Sequence, residues 1–181
     1  IEAMLLQLGA GLPMAYGRVT PAQLYELLEL HVYYRAVAVR GLAIERRGES
    51  NLLAHMMRDL LTPASGASLY VGHDTNLDGI AQLLDLAWDA TPYPTNTTVP
   101  GGILRLTASG TGKDATVSGA FLYSNLAEGD GKMREVEASF GGKGSISLAE
   151  LSNLAKQKID ARCVRLQAEV EQAAEEQVEQ A

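Results

Sequence analysis

The apolar positions fall into helix-spaced stretches first and strand-like stretches later. Residues 1 to 9 read as the end of an apolar helix, broken by Gly9, Gly11 and Pro13. Ala10 to Val19 reads as a loop holding Met14 and Tyr16. Thr20 followed by Pro21 predicts a helix start, with Thr20 as cap and Pro21 at the first helical position. From there Leu24, Leu27, Leu28, His31, Val32 and Arg35 share one face at spacings of three and four. The spacing predicts a helix to about residue 44, with Gly41 a weak interruption costing about 1 kcal/mol relative to Ala. Arg46 to Glu49 form a charged break. Ser50 or Asn51 can then cap a second helix to about 61, with Leu52, Leu53, Met56, Met57 and Leu60 inward and Thr62 to Gly66 as a turn.

The period then changes. Ala67 to Gly72 is a short apolar run that predicts a buried strand. His73, Asp74 and Thr75 follow, then a helix over about 76 to 86 with Leu77, Ile80, Ala81, Leu83 and Leu84. Thr91 to Gly102 is a Pro- and Thr-rich loop. Ile103 to Ala108 and Thr116 to Tyr123 alternate as strands, with Ser109 to Asp114 as a hairpin turn. Gly129 to Gly144 reads as irregular and glycine-rich, and Ser147 caps a last helix over 148 to 158. The segment from 166 reads as solvated helix or disorder. The predicted architecture is α/β, a sheet covered by helices. So few strands leave an open edge, which points to a chain that is part of something larger.

Composition narrows the options. Of 181 residues, 46% are hydrophobic and 20% charged, values of a chain that can bury a core. No apolar run is long enough for a membrane span, and no signal-peptide pattern opens the chain. The net charge is −7, but Glu169, Glu171, Glu175, Glu176 and Glu179 lie in a C-terminal stretch without Lys or Arg. Without those five acids the charge is −2. With no basic stripe on this near-neutral body, nucleic acid is not an expected partner. Cys163 stands alone, which excludes a disulfide within the chain and any metal site of several cysteines.

The chemistry-bearing candidate is Gly72-His73-Asp74-Thr75-Asn76, at the junction where an open α/β sheet places its ligands. A helix N-terminus favours an anion there. His73 can donate to a phosphate oxygen, and Asp74 can serve as a general acid when the anion beside it holds a proton on it. Thr75 and Asn76 add polar contacts. A purely structural reading competes, because Asp74 and Thr75 are good caps and Thr75 with Asp78 approximates a capping box. No nucleophile accompanies the junction. Elsewhere His31 reads as a satisfied core histidine, His55 as a surface residue, and Asn96-Thr97-Thr98 as a chance glycosylation triplet.

Several stretches, in order, give the sequence a family likeness. They are Gly11-Leu12-Pro13-Met14 with Tyr16-Gly17-Arg18-Val19, Leu27-Leu28-Glu29-Leu30-His31, and Arg47 to Leu53. Gly72 to Leu77 (G-H-D-T-N-L), Pro100-Gly101-Gly102-Ile103-Leu104, and Ser147-Leu148 with Ile159 and Cys163 complete the set. Together they resemble the histidine acid phosphatases, in particular the bacterial phytase and glucose-1-phosphatase branch, over residues 1 to 165. The segment 166–181 is an acidic tail without counterpart.

The resemblance implies the C-terminal part of a phosphoglycerate-mutase-like histidine phosphatase fold, incomplete alone. It implies hydrolysis of phosphate monoesters, such as sugar phosphates or phytate-like compounds, through a phosphohistidine. His73 would bind phosphate and Asp74 would protonate the leaving oxygen. Thr75, Asn76, His31 and Met14 would contact substrate. No metal or cofactor is implied, since arginines and histidines neutralise the phosphate, and the setting would be periplasmic or secretory. The nucleophile of that family lies in an R-H-G motif, and no R-H-G occurs here. The expected partners are therefore a small phosphorylated substrate and a segment or chain carrying R-H-G. The competing expectation is a non-catalytic, phosphatase-like domain serving as a structural or partner-binding subunit.

Overall fold

A computed structural model describes residues 1–39, 41–61, 66–111 and 114–165. The tail 166–181 and most of the predicted turn at 62–66 lie outside the described residues. Five helices come first: α1 (Glu2–Gly9), α2 (Pro21–Tyr34), α3 (Leu42–Gly48), α4 (Ser50–Leu61) and α5 (Asp74–Leu84). Six strands follow: β1 (Leu86–Ala87), β2 (Ile103–Ser109), β3 (Thr116–Ser124), β4 (Met133–Glu137), β5 (Ser139–Phe140) and β6 (Ser145–Ser147). Helix α6 (Leu148–Lys158) comes next, and a 3₁₀ turn at Ala161–Cys163 follows it. Among the described residues no helix is long and apolar enough to cross a membrane.

The start of α2 is as predicted. Thr20 accepts from the Gln23 amide at 3.3 Å, and Gln23 Oε1 accepts from the Thr20 amide at 3.0 Å. This reciprocal capping box satisfies donors that the helix itself cannot. The single helix expected to reach residue 44 is in fact two. α2 runs into a π-helical turn at Arg35–Val39, and Gly41, in extended conformation, caps a separate α3. Glycine's poor helix propensity and the altered turn geometry break the helix where a weak interruption was expected. α3 also runs through the expected charged break, as far as Gly48. Ser50 opens α4 without capping it: its hydroxyl donates to the Arg46 carbonyl and accepts from the Asp160 amide at 2.7 Å.

The main sheet is antiparallel. β3 pairs with β2 on one side, and with β4 and β6 on the other. The predicted hairpin is present, in register from Ile103 opposite Leu122 to Ser109 opposite Thr116. The stretch 129–144, expected to be irregular, contains β4 and β5. Its glycines bound the strands instead of dissolving them, with Gly129, Gly131, Gly141 and Gly142 at positive φ in the connections. β5 pairs with the two-residue β1, and its Phe140 also bridges to Lys143.

One core unites these layers. Leu24 and Leu28 of α2, Leu53 of α4, Ile80, Leu83 and Leu84 of α5, Val117 and Phe121 of β3, and Leu151 of α6 are buried in it. Trp88 stacks on Phe121 with ring centroids 4.5 Å apart, and its indole N–H donates to the Thr97 carbonyl at 3.1 Å. That bond lets a large polar-tipped ring sit in the core without an unmet donor.

The segment before α5 departs most from expectation. Residues 67–72, predicted as a buried strand, have no regular secondary structure and belong to no sheet among the described residues. Leu69 is 84% exposed and Val71 91%. Strand-forming side chains make a strand only where a neighbour supplies ladder bonds, and no strand pairs with this segment among the described residues. Tyr70 ties the segment to α4 by donating to Asp59 Oδ2 at 2.6 Å. Partial burial, reinforced by the hydrogen bond to the Asp59 carboxylate, pushes the Tyr70 hydroxyl up to about 12, and the same bond helps hold Asp59 down at about 2.

Candidate active site

α5 begins at Asp74, two residues earlier than the spacing predicted, so His73 is its cap and Asp74 its first residue. The box at this terminus involves His73 and Asn76, where the sequence suggested Thr75 and Asp78. The His73 amide donates to Asn76 Oδ1 at 2.8 Å, and Asn76 Nδ2 donates to Glu49 Oε1 at 3.0 Å. Gly72 permits this closure, since a Cβ there would lie 2.7 Å from Asn76 Oδ1. Asn76 thus holds the turn that presents His73, and Glu49 of the α3–α4 junction holds Asn76.

Asp74 is gripped at both oxygens. Oδ2 accepts from Arg35 Nη1 at 2.6 Å and Oδ1 from the Thr75 amide at 2.8 Å. Arg35 also donates through Nε to Asp78, one turn further along α5 and fully buried. Burial alone disfavours the Arg35 cation, but the Asp78 and Asp74 carboxylates outweigh it, and the net shift is upward. Four residues before Arg35, on the same face of α2, His31 places Nε2 3.3 Å from Glu2 Oε1. Burial lowers the His31 pKa, and the Glu2 carboxylate only partly opposes this. Burial raises that of Glu49, against the Asn76 hydrogen bond.

Of these groups, Glu2, His31, Arg35, His73 and Asp74 border a cavity of about 340 Å³. Glu2, Leu5 and Leu6 line it from α1, and His31, Val32 and Arg35 from the end of α2. His73 and Asp74 form the wall at the start of α5, with Asn96, Thr97, Thr98 and Pro100 opposite. Of the residues the sequence singled out, His73, Asp74 and His31 come together here. Thr75 and Asn76 stand behind them, the first bonded to Asp74 and the second to His73. Met14 does not line the cavity; it is 5% exposed within the core. His55 faces elsewhere, with Nε2 3.1 Å from the Arg165 carbonyl oxygen.

Three contributors escaped the sequence reading. Arg35 was visible only as a helix-face residue, though its place four residues after His31 is the signal that aligns them. Glu2 lies at the start of the sequence and carries no pattern. Asn96 to Thr98, read as a chance triplet, form part of the cavity wall.

No protein-family model and no curated protein matches the chain. Solved structures do. Phytase from Hafnia alvei, in complex with tartrate, superposes with a TM-score of 0.77 at 25% identity, over 91% of this chain and 47% of the phytase. The same enzyme in complex with myo-inositol hexakis sulphate gives 0.75 at 24%, over 91% and 48%. Phytase from Klebsiella sp. ASR1 gives 0.77 at 21%, over 93% and 48%. The fold is thus that of bacterial phytases, the histidine phosphatase fold, and the chain spans about half the length of those proteins. This agrees with the likeness to the C-terminal half of a histidine acid phosphatase drawn from the G-H-D-T-N motif.

Proposed function

We propose that this chain forms the acid-supplying half of a phosphomonoester hydrolase. The observation that carries the proposal is the placement of His73 and Asp74 side by side on one cavity wall, at the N-terminus of α5. Such a terminus favours an anion, and His73 adds a donor to a phosphate oxygen. Asp74 is the proton donor to the leaving oxygen. A carboxylate has about four lone-pair sites, and its two donors leave room for a proton. His31, whose pKa burial lowers, borders the same cavity as His73 and Asp74.

In this reading the nucleophile comes from the segment that fills the other half of the fold. That segment carries an R-H-G histidine, which attacks phosphorus to give a phosphohistidine while Asp74 protonates the departing alkoxide. Water then takes the phosphoryl group, with Asp74 as the base. The substrate class is small organic phosphates, sugar phosphates or phytate-like esters, in a periplasmic or secretory setting. A second reading, a non-catalytic partner-binding domain, draws on the exposed apolar residues Leu69 and Val71 of the segment 67–72.

The test compares this chain alone with the complete protein on p-nitrophenyl phosphate. The chain alone should show negligible turnover, since general-acid help by itself is worth only about 10² to 10⁴-fold. The complete protein should turn the ester over. A complete protein that hydrolyses no phosphate ester contradicts the proposal and leaves the partner-binding reading.

A further inference from the structure

We infer that Arg35 is a positioning residue, the part that sets the direction of the Asp74 carboxyl. The inference rests on the reading of Asp74 as the leaving-group acid. Arg35 lies in the cavity wall, where a cation would ordinarily be taken for a phosphate ligand. Its surroundings argue otherwise. Nε is held by Asp78, Nη1 by Asp74 at 2.6 Å, and Glu2 Oε1 lies 3.5 Å from Nη1. Three carboxylates already share its charge, so little is left to attract an incoming phosphate.

What remains is geometry. Asp78 is fully buried on α5, and the Arg35 side chain is 7% exposed, so neither can swing. A guanidinium is planar, and fixing Nε against Asp78 fixes where Nη1 points. Asp74, by contrast, is 43% exposed at the first position of a helix, where several side-chain rotamers are open to it. The fork turns a buried anchor into an aim for an exposed carboxyl. Nη2 supports this, because it is buried with no hydrogen-bond partner among the described residues. An unmet buried donor is costly. The guanidinium accepts that cost and keeps the orientation the two aspartates impose.

The first test uses this chain alone. Three-bond NMR couplings to the Asp74 carboxyl carbon report its χ1 rotamer. They should show one rotamer in the parent chain and averaging in Arg35→Met/Asp78→Leu. That double replacement removes the buried pair together, because losing one partner strands the other. Should it fail to fold, Arg35→Lys decides, since lysine keeps the buried charge but has no fork. One unchanged Asp74 rotamer in a folded variant overturns the inference.

The second test uses the complete protein. Arg35→Lys should lower kcat on an alkyl phosphate by about 10 to 10²-fold, the scale of a misplaced reacting group. The loss should be smaller on a nitrophenyl ester and should vanish in an Asp74→Asn background. Equal losses on both esters, or a full further loss in that background, refute the positioning role. If Asp74→Asn itself treats both esters alike, the acid reading fails, while the rotamer measurement still decides whether Arg35 orients Asp74.

Discussion

Replacing Leu69 and Val71 together by serine should have opposite consequences in the isolated chain and in the complete protein. The two residues are 84% and 91% exposed, and at a spacing of two they would share one face if the segment became a strand. In the chain alone the double change removes almost no packing, so stability should stay within about 0.5 kcal/mol of the parent. In the complete protein this segment should be an inner strand, paired along its edge and covered on that face. Burying a Leu or Val side chain is worth about 1.5–3 kcal/mol, so the pair should cost about 3–6 kcal/mol there. If the completing segment is a separate chain, the same energy should appear as an affinity loss of about 10² to 10⁴-fold, at about 1.4 kcal/mol per tenfold. Urea unfolding of both forms, with and without the double change, measures the difference. Equal small effects in both would refute the idea that 67–72 is a strand awaiting its neighbours. A large loss in the isolated chain would show that the segment already packs there.

Other consequences concern the groups behind the site. Glu49→Gln keeps an acceptor for Asn76 but removes a buried charge. The pKa of Glu49 is raised in the folded state, so its contribution is intact below its ordinary value of 4.5 and lost as pH rises through the raised one. The variant should therefore be more stable than the parent at pH 7 and little different near pH 4; urea midpoints at both check it, and an equal difference at the two would refute it. The pKa of His31 is lowered, so its contribution is intact above 6.5 and lost as pH falls toward the lowered value. His31→Gln should flatten the decline in stability below pH 6.5 relative to the parent, and parallel curves would contradict this. Gly79→Ala would drive a Cβ into the side chains of Glu45 and Glu49. It should lower the thermal midpoint clearly, and an unchanged midpoint would show that those side chains yield freely.

Local rules sufficed wherever the chain's own residues settle the structure. Thr20-Pro21 fixed the start of α2, Ser147 that of α6, and alternation the β2–β3 hairpin, because caps and cross-strand pairs act over a few residues. The strands within 129–144 were hidden because their pairing partners are distant: Met133 to Glu137 pair with residues 120–124. The break at Gly41 was underestimated because helix propensity prices a glycine but not the π-helical turn before it. The buried strand expected at 67–72 is not formed: the segment joins no sheet among the described residues and Leu69 and Val71 are exposed, because strand-forming side chains do not by themselves supply a pairing partner. In the site, the H-D junction was legible from strand, turn and helix signals. Glu2, Arg35 and Asn96 to Thr98 were not, because tertiary packing alone brings them to the cavity.

The central claim is that Asp74 protonates the leaving oxygen, and one comparison tests it most directly. Steady-state rates of the complete protein and its Asp74→Asn variant should be measured on an alkyl phosphate and on p-nitrophenyl phosphate. An alkoxide needs a proton as it leaves, whereas a nitrophenolate hardly does. Asparagine keeps the size and much of the hydrogen bonding to Arg35 and Thr75 but has no acidic proton. The loss on the alkyl ester should be about 10² to 10⁴-fold, the range for a general acid, or about 3–5 kcal/mol of barrier. On the nitrophenyl ester it should be clearly smaller. His73→Ala should weaken both esters alike, because phosphate is common to them. Equal losses on the two esters for Asp74→Asn would show that Asp74 is not the acid.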